Sequence, residues 1–258
     1  MGDKEEGRAP LAVIPAIDIL GGRCVRLRQG SYDDVKAYTA DPVDMARRFA
    51  EAGARRIHVV DLDGADGRPE TNREVIAKIR REAAATLEVG GGIRSEEVVE
   101  GLLEIGVDRL IVGTLLAKEP ERVGAWVRRY GARFVAGIDA REGLVQIAGW
   151  RQGTELPALE LAERAKELGL LSVVYTDISQ DGMLSGPNTR ETSALAEQAG
   201  IPVIVSGGIS SMEDLVAIET SADPLVVGAI AGKAIYEGRL DLPKLFKRFP
   251  GPTEEVAW

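Results

Sequence analysis

Histidine and cysteine are the scarcest residue types in this chain of 258 residues, which holds one of each. A single cysteine, Cys24, cannot form an intrachain disulfide, which is typical of proteins inside the cell. A single histidine, His58, argues against a multi-histidine metal site and against a Ser-His-Asp triad. Because His58 lies in the apolar run 57–60, we expect it to pack within a strand or to orient a neighbour. No metal site is expected.

Long apolar runs and an excess of positive charge are also missing. The apolar runs, such as RLIVGT at 109–114, are far shorter than the roughly 20 residues that cross a bilayer. The opening MGDKEEGRAP has no apolar core of a signal peptide, so we expect a cytoplasmic protein without a membrane partner. The net charge of −9 disfavours a broad nucleic-acid surface, and an anionic ligand must therefore be held locally.

Short β-branched runs alternate with longer amphipathic stretches along the chain, as expected for repeated βα units around a parallel sheet. Eight runs read as strands: 13–18, 56–63, 86–90, 110–114, 134–139, 172–178, 202–206 and 225–231. Asp41-Pro42 and Ser95 have the residue types that begin helices. Eight βα units predict a TIM (β/α)8 barrel, since an open Rossmann-type sheet more often has six strands.

No linker rich in glycine, serine or proline interrupts the series, so we expect one domain over 1–258 with short polar tails at about 1–11 and 250–258. Two connections, 18–40 and 139–156, are longer than usual and lack a helical pattern. Connections of that kind are commonly binding loops or lids. We expect both to close over a ligand.

The chain carries an internal repeat, because VGGGIRS at 89–95 and VSGGISS at 205–211 lie 116 positions apart. Further matches at similar offsets pair Asp18 with Asp139, Asp61 with Thr176, Asp66-Gly67 with Asp181-Gly182, and Gly113 with Gly232. Gly228 would also fit the last pairing, but a helix start at Lys233 favours Gly232. The set predicts two fused half-barrels of four βα units each.

The repeated glycines are predicted to bind phosphate. Glycine lets backbone N–H groups approach an anion, a following helix adds its positive end, and the last two loops of a TIM barrel commonly hold phosphate. We define a first cradle and a second cradle at the strand ends: Gly91, Gly92, Gly113 and Thr114 form the first, and Ser206, Gly207, Gly208, Gly232 and Lys233 form the second. Two cradles at one barrel mouth predict a ligand with a phosphate at each end.

Asp18 and Asp139 follow the first and fifth strands and should face each other across the barrel. Two opposed carboxylates suit paired proton transfer, one accepting and one donating. Four residues are candidates for orienting a substrate: Thr176, Asp181, Arg94 and Trp150. The pair Asp61 and Asp63 could suggest a divalent metal, but without a second histidine we interpret it as a substrate or structural contact.

Seven ordered strings resemble one family over residues 14–249: IPAIDILGGRCVRLRQG, HVVDLDGA, EVGGGIRS, LIVGT, GIDAREG, YTDISQDGMLSGPN and VSGGISS. The sequence is similar to the histidine-biosynthesis isomerases of phosphoribosylformimino-5-aminoimidazole carboxamide ribotide, here abbreviated ProFAR. The resemblance implies a cofactor-free Amadori rearrangement of a bisphosphorylated ribonucleotide, from aminoaldose to aminoketose, with no obligate protein partner.

By motif, the resemblance makes Asp18 in PAID the proton acceptor and Asp139 in GIDA the proton donor. Thr176 and Asp181 match residues needed around the opening ring, and in some relatives the aspartate at the position of Asp181 performs the acid step. The assignment of the acid between Asp139 and Asp181 therefore stays open.

Other readings remain. The cyclase subunit of the same pathway shares the half-barrels, but its first strand resembles PCLDV more than the PAIDI found here. Bifunctional relatives that also isomerise phosphoribosylanthranilate carry Arg-Gly-Trp where this chain has Ala148-Gly149-Trp150. The missing arginine argues against bifunctionality unless another cation replaces it, for which the candidates are Arg23, Arg26, Arg28 and Arg151. A metal-dependent epimerase would need histidine ligands, and a non-catalytic bisphosphate-binding barrel would need no paired carboxylates.

Overall fold

The architecture was obtained as a computed structural model, which describes residues 10–28, 31–68, 71–251 and 258. These residues form twelve strands: β1 (Ala12–Leu20), β2 (Arg23–Arg28), β3 (Ser31–Ala37), β4 (Arg56–Asp61), β5 (Thr86–Gly90), β6 (Arg109–Val112), β7 (Phe134–Arg141), β8 (Leu144–Ile147), β9 (Gln152–Pro157), β10 (Val173–Asp177), β11 (Val203–Ser206) and β12 (Val226–Ala231). Eight of them are parallel and pair in the order β10-β11-β12-β1-β4-β5-β6-β7, and β7 pairs with β10 to close a barrel. The predicted TIM (β/α)8 barrel is confirmed.

The same residues form eleven helices, most of which surround the barrel. Their bounds are α1 (Pro42–Glu51), α2 (Leu62–Ala65), α3 (Arg73–Glu82), α4 (Glu96–Ile105), α5 (Thr114–Lys118), α6 (Pro120–Tyr130), α7 (Ala158–Glu167), α8 (Thr189–Ala199), α9 (Met212–Ser221), α10 (Lys233–Tyr236) and α11 (Leu242–Arg248). The predicted starts are confirmed, because Asp41 caps α1 and Ser95 caps α4 through their side-chain oxygens. Within the described ranges, no helix is both long enough and apolar enough to cross a membrane.

Apolar side chains fill two layers, one between the strands and the helices and one inside the barrel. Alternation along each strand produces both layers, because successive side chains point to opposite faces. On β5, Leu87 and Val89 pack in the outer layer. Inside the barrel, the second half contributes only apolar side chains at mid-height: Val135, Val174, Ile204 and Ile230.

The inside of the first half-barrel holds buried polar side chains as well as apolar ones such as Ile14 and Ile111. His58 is buried and places its Nδ1 2.8 Å from an oxygen of Glu88, which is fully buried. A carboxylate only accepts, so Nδ1 is the donor in this contact. Below them, Arg56 lies 3.6 Å from Glu88 and stacks over the ring of Trp258. His58 therefore lies within a strand, as expected, and packs against Glu88.

The two long connections contain strands, which corrects their interpretation as loops. β2 and β3 form an antiparallel hairpin on the end of β1, and β8 and β9 form another on the end of β7. Their exposed faces are mostly polar, with Val35 and Leu144 as exceptions, so the apolar signal of a buried strand is weak. Both hairpins rise from the carboxyl end of the barrel, which is the edge that carries the candidate site.

The predicted bounds were wrong at several ends. Asp63 is not in a strand, because Asp61 ends β4 and caps the short helix α2. Thr114 begins α5 instead of ending β6. Residues 1–9 and 252–257 of the predicted polar tails lie outside the described residues. Three of the remaining tail residues contact the barrel. Leu11 and Trp258 are buried, and Pro250 pairs with Ala12 at the end of the barrel sheet.

Candidate active site

A cavity at the carboxyl ends of the barrel strands brings together the residues predicted from sequence. Its main chamber is lined by Asp18, Asp139, Thr176, Asp181, Arg94 and Trp150 and by the first cradle together with Ser206. A smaller chamber beside it is lined by the second cradle and Asp181. Arg26 lines both chambers. All of the predicted site residues therefore border one continuous region of the barrel mouth.

Arg26 joins two of the candidate carboxylates. It lies on β2, which folds back over the barrel, so its guanidinium reaches Asp18 at 3.0 Å and also bonds Asp181. Burial lowers the pKa of Arg26, but the two carboxylates outweigh burial and raise the pKa overall. Arg26 is therefore a fixed positive charge between Asp18 and Asp181. From the sequence, Arg26 was a candidate only for the cation that replaces the missing arginine. Its contacts with Asp18 and Asp181 depend on how the hairpin folds back over the barrel.

Asp139 ends the parallel part of β7 and faces the cavity. Burial raises the pKa of its carboxyl group, while donation from the Trp150 and Thr176 side chains partly offsets that rise. Burial also raises the pKa of Asp181, against the opposing effect of Arg26. Both groups therefore hold a proton to higher pH than an exposed aspartate does, and a general acid needs that property.

Replacing Asp139 with asparagine is expected to stabilise the fold. A raised carboxyl pKa means that the folded state binds more protons than the unfolded state, so this group costs stability as pH rises from about 3.8 through its folded pKa. The asparagine side chain cannot ionise and avoids that cost. We expect a gain of about 1 kcal/mol at pH 8, or about 2–4 °C in melting temperature. The gain in melting temperature should be smaller at pH 5 than at pH 8. A lower melting temperature for Asp139→Asn than for the unaltered protein at pH 8 would contradict the inference that burial raises the pKa of Asp139.

The hairpin turn that holds Trp150 is strained. Ala148, Gly149 and Trp150 all have positive φ values, of 56°, 65° and 66°. Left-handed backbone is unfavourable for alanine and tryptophan and persists where surrounding contacts impose it. One such contact is the Ala148 N–H, which donates to the Thr114 hydroxyl at 3.0 Å. The turn directs Trp150 into the cavity and connects the hairpin to the first cradle.

The two cradles have matching backbones. Gly113 has φ −113° and ψ −87°, and Gly232 has φ −115° and ψ −90°. Each glycine caps a short helix, α5 or α10, so the structure supports pairing Gly113 with Gly232 and not with Gly228. Lys233 begins α10 as predicted, and its Nζ donates to the Gly182 carbonyl at 2.7 Å.

The paired glycines are required for a reason that differs from the predicted one. A Cβ on Gly91 would lie 2.1 Å from the carbonyl oxygen of Asp61, and one on Gly92 would lie 2.3 Å from that of Gly64. In the second half, a Cβ on Gly208 would lie 2.2 Å from the carbonyl oxygen of Gly186. The missing side chains thus let two backbone segments pack directly, whatever ligand approaches from the cavity. Replacing these glycines would disturb the fold as well as any anion site.

The strand register corrects one pair of the predicted repeat. Asp18 aligns with Val60, and Asp139 aligns with Thr176. Thr176 therefore matches Val60, and the counterpart of Asp61 is Asp177. Asp61 serves a structural contact, because its carboxylate accepts from the Gly64 N–H at 2.9 Å.

Two asparagine contacts, with Asn72 buried and Asn188 half-buried, were not predicted from the sequence. Asn72 donates to Asp61 at 2.6 Å, and Asn188 donates to Asp177 at 2.8 Å. These asparagines stand 116 positions apart, the offset of the glycine motifs, and that offset was the signal that could have identified them.

The remaining cations are placed as follows. Arg94 is exposed at the rim and donates to the Ala65 carbonyl at 2.6 Å. Arg151 is also exposed and pairs with Asp66. Arg23 is exposed, and the side chain of Arg28 lies outside the described residues. Across the part of the chain that the structure describes, no three histidine, cysteine, aspartate or glutamate side chains are grouped to hold a metal ion.

Fold and cavity together define a (β/α)8 barrel of two matched halves, with ionisable side chains between two glycine-rich strand-end loops. The chain belongs to the histidine biosynthesis protein family, whose model matches residues 12–241. Three similar proteins bear the name 1-(5-phosphoribosyl)-5-((5-phosphoribosylamino)methylideneamino)imidazole-4-carboxamide isomerase. The protein from Marinobacter nauticus is 46% identical over 90% of this chain and 95% of its own length. Those from Thermodesulfovibrio yellowstonii and Chromohalobacter salexigens are 45% and 47% identical, over 93% and 90% of this chain and 98% and 94% of their own lengths.

Proposed function

We propose that this protein is an aldose-ketose isomerase of histidine biosynthesis that converts ProFAR to its aminoketose. Its family membership and the isomerase names of its relatives support the reaction. The observation that carries the proposal is the placing of Asp18 and Asp139 in a cavity that the two matched cradles border. A ligand with a phosphate at each end would span that cavity with its reacting ribose between the carboxylates.

The rearrangement moves protons within one substrate. An acid protonates the ring oxygen of the aminoaldose, and the ring opens to a protonated imine at C1. A base then removes the proton from C2 to give an enolamine, which tautomerises to the aminoketose. C1 is reduced and C2 oxidised within the molecule, so no external electron donor is needed. In this proposal Asp18 is the base, and the Arg26 guanidinium lies 3.0 Å from its carboxylate.

Asp139 and Asp181 share the acid role in this proposal. Burial raises the pKa of both groups, and each lines the main chamber. Because they interact with each other, they titrate as a set. Thr176 and Trp150 would orient the substrate and hold the Asp139 carboxylate, and Arg94 would contact the substrate from the rim.

Steady-state turnover of purified, chelator-treated protein tests the proposal. We expect turnover of ProFAR without any added protein, because the chain supplies both carboxylates and both cradles. Turnover would also support the lack of an obligate partner. No turnover by folded protein that still binds the bisphosphate would contradict the proposal, and would favour the cyclase or a binding barrel.

Phosphoribosylanthranilate is the second candidate substrate. Ala148 stands where the bifunctional relatives are expected to carry arginine, which argues against it. Arg26, however, lines both chambers and could meet the anthranilate carboxylate. Assaying this substrate in parallel decides between the readings. Turnover of ProFAR alone supports a monofunctional isomerase, and turnover of both means that another cation replaces the missing arginine.

A further inference from the structure

We propose that Asn72 and Asn188 are paired positioning residues, each of which fixes the shape of one phosphate cradle. The inference rests on the proposed function, because it assigns these residues a role at the predicted phosphate sites. Each asparagine immediately precedes the helix that follows a barrel strand, α3 after β4 and α8 after β10.

In the first half, Asn72 is fully buried and joins three segments of backbone. Its Nδ2 donates to Asp61 at 2.6 Å and to Asp63 at 2.9 Å, and its Oδ1 accepts from the Gly22 N–H at 2.9 Å. Asp63 also accepts from the Gly21 N–H at 2.6 Å. An asparagine before a helix commonly caps it, but this side chain makes no cap bond. Its hydrogen-bonding capacity serves the loops at the barrel mouth instead.

In the second half, Asn188 makes the corresponding bond to Asp177 at 2.8 Å. The other oxygen of Asp177 accepts from the Ser179 N–H at 2.9 Å and from its hydroxyl at 2.6 Å. Asn188 also donates to Glu191 at 2.6 Å and accepts from the Glu191 N–H, so it both caps α8 and holds the strand end. Each half thus has one asparagine-aspartate pair, which is buried in the first half and half-buried at Asn188 in the second.

Each pair supports the backbone on which a cradle rests. The carbonyl oxygen of Asp61 lies directly under Gly91, so closely that a Cβ there would be 2.1 Å away. In the second half, a Cβ on Gly207 would lie 3.0 Å from the carbonyl oxygen of Asp177. A shift of either aspartate therefore moves the glycine loop above it.

The same bonds keep negative charge away from the predicted anion sites. Asp61, Asp63 and Asp177 are all buried close to a cradle, where a carboxylate facing the cavity would repel phosphate. Asn72 bonds one oxygen each of Asp61 and Asp63, and Asn188 bonds one oxygen of Asp177, so the amides fix the direction of these carboxylates. The other oxygen of Asp63 lies 3.0 Å from Arg68. Charge-assisted bonds of this kind are stronger than neutral ones. We therefore expect loss of the amide to weaken anion binding at its own cradle.

Titration with inorganic phosphate, followed through the backbone amide signals of Gly113 and Gly232, tests this inference. Asn72→Ala should weaken phosphate binding at Gly113 by about fivefold or more and change it less than twofold at Gly232. Asn188→Ala should do the reverse. Equal weakening at both glycines, or no change in either folded variant, would overturn the inference.

Two further variants keep the test decisive. Asn72→Ser and Asn188→Ser keep a small polar group but are too short to make the bond to the aspartate, so they should give the same selectivity if an alanine variant fails to fold. Thr192→Val is the matched control, because it removes a buried bond to the Asn188 carbonyl and leaves the amide in place. If the unaltered protein shows no phosphate-dependent shift of either amide signal, the prediction that the cradles bind phosphate is contradicted, and with it the proposed function. Binding by the unaltered protein together with unselective variants overturns the inference alone.

Discussion

Replacing Asp18 with asparagine is expected to lower kcat for ProFAR by about 10²–10⁴, the range for losing general acid–base catalysis. The asparagine keeps the size of the side chain and still has an oxygen for Arg26, but it cannot accept the substrate proton at neutral pH. KM should change little, because the cradles that hold the phosphates are untouched. Steady-state kinetics, with calorimetric binding of the bisphosphate, separate the two quantities.

The control for this experiment is Asp44→Asn. Asp44 lies on the exposed surface of α1, pairs with Arg47 at 2.9 Å and lines neither chamber of the cavity. Its loss should leave kcat unchanged and alter stability by less than about 1 kcal/mol. A raised KM with normal kcat in Asp18→Asn would show that Asp18 binds substrate without taking part in proton transfer.

The barrel was predictable because its strands repeat a strong local signal. Buried β-branched runs separated by amphipathic helices predict a covered parallel sheet, and their number predicts closure. The hairpins were not predictable in the same way. β3, for example, carries exposed polar residues such as Asp34 and Lys36, so its sequence resembles a loop. Its pairing with β2 is a property of the folded chain.

The candidate site was predictable where residue position alone decides function. Asp18 and Asp139 end barrel strands, and strand ends meet at one mouth. Arg26 was missed as a site residue because a hairpin brings it back over the barrel. Asn72 and Asn188 were missed because Asp61 was paired with Thr176, one residue out of register. The offset is 116 at Asp61, Asn72 and Gly91, but it is 121 at Asp18 and 119 at Gly113, because other connections of the two halves differ in length. No single offset therefore describes the whole repeat.

The two half-barrels have matching cradles, but different side chains line the inside of the barrel below them. His58 and Glu88 point into the barrel in the first half, and the residues 116 positions later are Val174 and Ile204. A ligand with two similar phosphate ends would therefore meet different surroundings on the two sides of the cavity. This difference gives an otherwise symmetric site a direction, which an isomerase needs when only one ribose of its substrate reacts.

Replacing Arg26 with methionine should produce the other large effect. Methionine keeps much of the apolar stem but removes the charge that separates Asp18 from Asp181, which leaves two partly buried carboxylates without their shared partner. Breaking a buried pair in this way costs about 3 kcal/mol. Losing one preorganised charge from a site of this kind lowers catalysis by about 10²–10³. We expect kcat/KM for ProFAR to fall by that factor, and denaturant unfolding to report the lower stability.

Two comparisons establish whether the geometry or only the charge of Arg26 matters. Arg26→Lys keeps one positive charge, but an ammonium group lacks the planar fork that contacts both carboxylates, so it should recover only part of the lost kcat/KM. Arg151→Met breaks the exposed contact between Arg151 and Asp66. It should lower the free energy of unfolding by less than about 1 kcal/mol. Full recovery by lysine would reduce the role of Arg26 to that of a point charge. Equal stability losses at Arg26 and Arg151 would mean that the bridge between Asp18 and Asp181 is worth no more than a surface ion pair.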